Sequence, residues 1–102
     1  MIVSGGENIT PVEVEQAIEG LKEIKEAAVI GIADEEWGQK VVAVVTLANG
    51  MHPDLDFLKL HLKGKIADFK LPKEVRIVDT LPKTTTGKVK RNELMKVIAK
   101  KN

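Results

Sequence analysis

Near the carboxyl end the chain reads PKTTTGKVKR, residues 82–91, in which three threonines and Gly87 lead to Lys88 and no acidic residue intervenes. A glycine before a lysine permits a tight backbone turn, and the hydroxyls keep its tip polar. The stretch therefore offers an alkylammonium group, charged at neutral pH, to an anion arriving from outside. The competing reading is an idle lysine on a solvated hairpin. A mononucleotide phosphate loop is excluded, because G-x-x-x-x-G-K-[ST] requires glycine where Pro82 stands and a hydroxyl where Val89 stands. Gly5-Gly6, the other glycine-rich stretch, lacks the G-x-G-x-x-G spacing of a dinucleotide fingerprint.

Charge separates along the chain in the same sense. Residues 1–81 carry nine basic and fourteen acidic groups, a net −5, whereas residues 82–102 carry seven basic groups against Glu93 alone, a net +6. A basic end on an acidic body suggests that the tail meets something anionic; a solvated helix face accounts for the charge equally well. Nucleic acid fits poorly as that anion, since the aromatics are Trp37, Phe57 and Phe69, none of them in the tail, and stacking platforms for single strands are missing there.

Other chemistries find little support. The chain has no cysteine, which removes disulfides, thiolate metal sites and thiol nucleophiles and suits a reducing cytoplasm. His52 and His61 are the only histidines; one falls in a turn, the other on the polar side of a helix, with no H-E-x-x-H pattern, so no metal site is expected. Ser4, the only serine, has no base near it in sequence. No apolar run approaches the roughly 20 residues that span a bilayer, and no signal-peptide pattern follows Met1. These features predict a soluble, cytoplasmic protein.

The elements that must position Lys88 follow from periodicity. With 102 residues, one domain with one modest core is expected. MIVSGGENI reads as a strand entering a glycine turn. Thr10-Pro11-Val12-Glu13 has the form of a capping box with proline at the first helical position. Val14, Ala17, Ile18 and Leu21 then recur at helical spacing, with Gly20 and Lys22 suiting the end. AAVIGIA (27–33) and KVVAVVTLA (40–48) are β-branched and predict buried strands flanking an acidic ADEEWGQ loop. Asn49-Gly50 signals a turn. Asp54 is placed to cap a second helix that turns Leu55, Leu58, Leu62 and Ile66 inward, with Gly64 weakening its last turn. Leu71-Pro72 breaks the chain before a third strand, EVRIV (74–78). A closing helix over about 91–101 sets Leu94, Met95 and Ile98 on one side and lysines on the other. The sum is an α+β domain: a roughly three-stranded sheet flanked by helices, an N-terminal strand-turn, and a lysine-bearing loop near the C-terminus.

Two stretches at opposite ends carry a family resemblance. SGGENITPVEVE and LPKTTTGKVKRNEL resemble the bracketing motifs of the C-terminal domain of adenylate-forming enzymes, the superfamily of acyl-CoA synthetases, peptide-synthetase adenylation domains and luciferases. Between them AAVIGIADEEWGQKVVAVVTL resembles that family's strand–loop–strand core, so the likeness runs over essentially the whole chain. The SGGENI wording is nearer to ligases of fatty, medium-chain or related acids than to peptide-synthetase domains, which tend to carry an Arg-Gly version. The resemblance implies two half-reactions. A carboxylate first attacks the α-phosphate of ATP, giving an acyl-adenylate and pyrophosphate; the thiol of coenzyme A then displaces AMP. It implies that this domain swivels between the steps, that Lys88 enters the site during adenylation to bridge carboxylate and α-phosphate, and that Gly87 supports its turn. Ser4, Gly5 and Gly6 correspond to the loop lining the pantetheine tunnel in the thioester-forming orientation. Glu13 and Glu15 also match the family; capping already accounts for Glu13. Trp37 is expected as a partly buried anchor in preference to an interdomain contact. Pro82-x₄-Gly87-Lys88 resembles a site that protein acetyltransferases modify in some relatives, which would neutralise the ammonium.

The family's large N-terminal AMP-binding domain has no counterpart here, and its hinge residue would fall just upstream of Met1. The expectation is accordingly a C-terminal domain that holds neither ATP, Mg²⁺, coenzyme A nor a small carboxylic acid tightly alone and partners the N-terminal domain of its own enzyme. The alternative is a stand-alone binding or regulatory module that keeps the fold without catalysis. The acid's identity and the oligomeric state are not encoded in these residues.

Overall fold

The computed structural model describes residues 1–48, 50 and 53–100, with backbone only at 99 and 100. The Asn49 turn signal, His52 and the helical residue expected at 101 lie outside them. The elements are two short strands, β1 (Ile2–Ser4) and β2 (Glu7–Ile9), helix α1 (Pro11–Glu19), long strands β3 (Ile24–Asp34) and β4 (Gly38–Leu47), helix α2 (Leu55–Leu62), a single 3₁₀ turn (Asp68–Lys70), strand β5 (Glu74–Ile77) and helix α3 (Arg91–Lys100).

β1 and β2 form a hairpin in register Ile2–Ile9, Val3–Asn8 and Ser4–Glu7. The main sheet runs β3-β4-β5, antiparallel between β3 and β4 and parallel between β4 and β5. Burial on both faces explains why its strands read as unbroken apolar runs. Val29, Val41, Ala43 and Val45 face a core completed by Ile9, Val14, Ile18, Leu58 and Leu62. Ala28, Ile30, Val42 and Val44 face the other way, against Leu81, Leu94 and Ile98. Helices α1 and α2 thus cover one face and α3 the other, the α+β architecture expected.

Local expectations fare unevenly. Asp54 caps α2, its Oδ1 accepting the Phe57 N–H at 2.8 Å, and Leu58 and Leu62 are fully buried. Leu55 is half-buried, and Ile66 is buried from beyond the helix end. The capping box at α1 does not form. Thr10 holds the N-cap position in extended conformation without a side-chain cap, and its hydroxyl turns to Met1 Sδ at 3.8 Å. Glu13 is drawn instead to the Lys70 ammonium, at 2.8 and 3.0 Å, a charge-assisted bond stronger than one to a neutral N–H. β3 and β4 run further toward each other than expected because the acidic loop between them shrinks to a turn: Asp34 Oδ2 accepts the N–H groups of Glu36 and Trp37 at 3.1 and 2.9 Å, folding the chain back within three residues.

β5 is held by charge as well as by its ladder. Glu74 pairs with Lys40 of β4 at 2.6 Å and with Arg76 on its own strand. The Lys40 hydrogen bond, with help from Arg76, keeps the Glu74 carboxyl below the usual carboxylate range despite partial burial. A carboxyl depressed on folding contributes stability that is present above its unfolded pKa and is lost as pH falls through its folded value. Glu74→Gln should therefore flatten the acid limb. Its Tm should lie below that of the parent at pH 7, and the two should converge as the pH drops below about 4, the ordinary carboxylate range. Parallel Tm curves over that window would show that the pair adds nothing.

Candidate functional site

Lys88 sits on a small hairpin whose arms meet at the Lys83–Val89 bridge. Backbone bonds close it in sequence: Lys90 N–H to Pro82 carbonyl (2.8 Å), Thr84 N–H to Lys88 carbonyl (2.8 Å) and Gly87 N–H to Thr84 carbonyl (3.0 Å). Gly87 takes the positive φ of +88° that this closure demands, a conformation costly for other residues. The threonines brace the tip. Thr84 Oγ1 accepts the Lys88 N–H at 3.2 Å and lies 2.9 Å from Thr86 Oγ1. Leu81 on one arm is buried, and Val89 on the other packs against the α3-side core.

Alternation along the outgoing arm turns Val89 inward and Lys88 outward. Among the described residues the Lys88 ammonium forms no ion pair. It borders an open groove of about 480 Å³ between the hairpin, α1 and β3, shared with Glu15, Glu19 and Arg91. The tight polar turn expected here is braced by its own hydrogen bonds, and its ammonium has no ion-pair partner among the described residues.

The Gly5-Gly6 turn is the second expected site. Both glycines have positive φ, +58° and +82°, as a two-residue type I′ hairpin turn requires. Gly5 donates its N–H to the Trp37 carbonyl at 2.9 Å, and a Cβ on Gly5 would stand 2.9 Å from the indole ring. Trp37, 39% exposed, carries the Lys73 ammonium 4.2 Å from its ring centroid, a cation–π contact. It packs over Gly5 but is more exposed than the partly buried anchor expected. Gly6 differs: a Cβ there would meet nothing within 4 Å. Ser4 turns inward and is buried, and its hydroxyl finds no hydrogen-bond partner among the described residues, so only its backbone is available to a ligand.

The two sites are not brought together. Gly5 packs at the β3–β4 turn, whereas Lys88 borders a groove lined by Ala27. Ala27 and Asp34 are seven residues apart on β3, roughly 23 Å at about 3.3 Å per residue. One domain thus displays an ammonium at one place and a slender glycine turn at another.

Sequence reasoning missed a third feature, the burial of Glu15. The side chain is on α1 beside the apolar stripe, and its carboxylate joins Arg91 and the Val29 N–H. Its partners lie 14 and 76 residues away, beyond any local pattern. Among the described residues no cluster of three or more His, Asp or Glu could hold a metal ion, and no helix is long and apolar enough to cross a membrane. His61 is exposed on α2, its Nδ1 2.9 Å from the Phe57 carbonyl and its ring stacked on Phe57.

Comparison with known proteins is consistent along the chain. The profile of the AMP-binding enzyme C-terminal domain matches residues 13–88. Indoleacetate–CoA ligase of Aromatoleum aromaticum is 46% identical over 101 residues, and 2-succinylbenzoate–CoA ligase of Listeria innocua 43% over 94. These alignments take in 99% and 92% of this chain and 20% of each relative, so the chain spans about a fifth of the length of the curated relatives it matches. The crystal structure of Brucella canis acyl-CoA synthetase superposes with a TM-score of 0.91 at 35% identity, over 98% of this chain and 19% of that one. Fatty acyl CoA synthetase of Mycobacterium tuberculosis does so with 0.91 at 34%, over 99% and 20%. With the profile covering three quarters of its residues, the chain belongs to the AMP-binding enzyme C-terminal domain family.

Proposed function

We propose that the chain is the mobile C-terminal domain of an ATP-dependent carboxylic acid–CoA ligase, in which Lys88 serves adenylation and the Ser4-Gly5-Gly6 turn serves thioester formation. The observation that carries the reading is the Lys88 ammonium, without an ion pair among the described residues, on a braced hairpin. A preorganised cation brought to a dehydrated site stabilises charge as it moves from carboxylate to α-phosphate, and it holds the reactants without transferring a proton. An internal acidic partner would compete with those anions. The glycine turn supports the second role, because a pantetheine arm can pass close to main-chain atoms only where side chains are absent. The separation of the two sites along β3 supports a body that presents different surfaces in turn.

The large N-terminal domain of the same enzyme is then the partner, with ATP, its accompanying Mg²⁺ and coenzyme A bound mainly there or between the two. The acid belongs to that other portion. The relatives' names range over indoleacetate, 2-succinylbenzoate, feruloyl and medium-chain acyl ligases; fatty or related acids, favoured by the SGGENI wording, fall within this range. A cytoplasmic setting accords with the absence of cysteine. The test is the full-length enzyme incubated with ATP, coenzyme A and a panel of carboxylic acids. AMP, pyrophosphate and one or more acyl thioesters are expected, while the 102-residue chain alone should release none. A full-length enzyme that forms AMP with no acid and a non-CoA acceptor in place of the thiol would overturn the ligase assignment.

A further inference from the structure

Both sides of the Lys88 hairpin are held by ion pairs, one to β3 and the other to α1. On the incoming arm Lys83 pairs with Glu26 of β3. On the outgoing side Arg91, the first residue of α3 and three beyond Lys88, grips Glu15 of α1 along one edge of its guanidinium: Nη2 to Oε1 at 2.5 Å and Nε to Oε2 at 3.0 Å. Glu15 Oε2 also accepts the Val29 N–H at 2.8 Å. This second bond exists because β3 is an outer strand of the sheet. Alternate N–H groups on its free edge have no strand to pair with, and α1 supplies carboxylates instead, Glu15 to Val29 and Glu19 to Ala27 at 3.1 Å.

Glu15 is 8% exposed and lines the same groove as Lys88. A buried carboxylate stripped of its cation is strongly unfavourable, and besides Arg91 the cationic residue that lines the groove is Lys88, with a flexible four-carbon stem. With Arg91 in place both Glu15 oxygens are engaged and Lys88 stays free. Glu19, exposed on the rim, is screened by water and competes weakly.

We propose that Arg91 is a positioning residue for Lys88: by occupying Glu15 it prevents that carboxylate from capturing the adenylation lysine. The proposal rests on the reading of Lys88 given above. Its test uses the full-length enzyme and assays the half-reactions separately, adenylation by carboxylate-dependent pyrophosphate–ATP exchange and thioester formation from supplied acyl-adenylate. Arg91→Gln should lower adenylation roughly 10- to 100-fold, as misplacing a reacting group by about an ångström does. Thioester formation, which also reports folding, should stay near the parent rate. Removing the competitor as well, in Glu15→Gln/Arg91→Gln, should recover adenylation by about threefold or more, the scale of coupling between contacting residues. A residue that only stabilised the fold would also gain from the double variant, which removes the stranded carboxylate, but it would lose and recover both half-reactions together. Glu15→Gln alone, which keeps an acceptor for the Val29 N–H, should adenylate faster than Arg91→Gln.

Equal loss of both half-reactions in Arg91→Gln, or a double variant no faster than Arg91→Gln, would overturn the proposal. Lys88→Ala in the same assays separates the two levels. If it leaves adenylation intact, the functional reading itself fails. If it abolishes adenylation while Arg91→Gln does not affect it, only the role given to Arg91 fails.

Discussion

Lys88→Ala in the full-length enzyme is expected to slow adenylation by roughly 10²- to 10³-fold, the loss that follows removal of one preorganised donor aimed at developing charge, and to leave thioester formation from supplied acyl-adenylate near the parent rate. The expectation comes from what surrounds the side chain. The hairpin is fixed by Leu81 and Val89 in the core and by the backbone bonds of Pro82–Lys90 and Thr84–Lys88, none of which uses the ammonium. Among the described residues that group has no ion pair to lose, so truncation should shift stability by no more than about 0.5 kcal/mol, as for other exposed positions. An unchanged Tm with a large, one-sided kinetic defect separates catalysis from folding. Lys88→Arg refines the point. It keeps the charge but replaces a compact ammonium with a planar fork, so adenylation should recover only in part. Equal losses in both half-reactions would contradict the role.

The outward placement of Lys88 on a turn was legible because its signal is local: a cation, a glycine and no acid between residues 82 and 91. So were the strands, whose apolar runs report burial on both faces, and the Asp54 cap, whose acceptor lies three residues from its donor. The same reasoning failed where a non-local partner outbid a local one. Thr10 and Glu13 satisfy the spacing of a capping box, but Lys70 reaches Glu13 from 57 residues away and an ion pair displaces a neutral bond. Asp34 was read as one acid in a loop, whereas its carboxylate organises the turn that lengthens both central strands. The parallel pairing of β5 with β4 likewise depends on a long connection that no window of sequence displays.

Glu15 is the instructive case. Its place at the border of the α1 stripe predicts an exposed carboxylate, and only the outer position of β3 and the arrival of Arg91 turn it inward. A signal was present, since Glu15 and Glu19 stand one turn apart on the same face, as two carboxylates meeting alternate residues of an adjacent edge would. Reading it requires knowing which strand lies at that edge, which is a property of the sheet order.

The glycine turn makes the complementary prediction, and the structure says which glycine to change. Gly5 is required by the fold, since any side chain there would meet the Trp37 ring at 2.9 Å while holding φ at +58°, so its variants would report folding. Gly6 has the same left-handed backbone but open space where a Cβ would be. Gly6→Leu should therefore fold at a strain cost of about 1–3 kcal/mol, project its side chain outward, and slow thioester formation roughly 10²-fold by displacing the incoming thiol from its line of attack. Adenylation should fall far less, because Lys88 lies at the other end of β3. Gly6→Asn distinguishes obstruction from strain, since asparagine tolerates positive φ better than leucine yet still adds bulk. Selective loss of thioester formation in Gly6→Asn, with Tm close to the parent, would support a passage for pantetheine along this turn. Should Gly6→Asn form thioester at the parent rate while Gly6→Leu loses both half-reactions together, backbone strain alone would explain the glycine, and the turn would have no part in the second step.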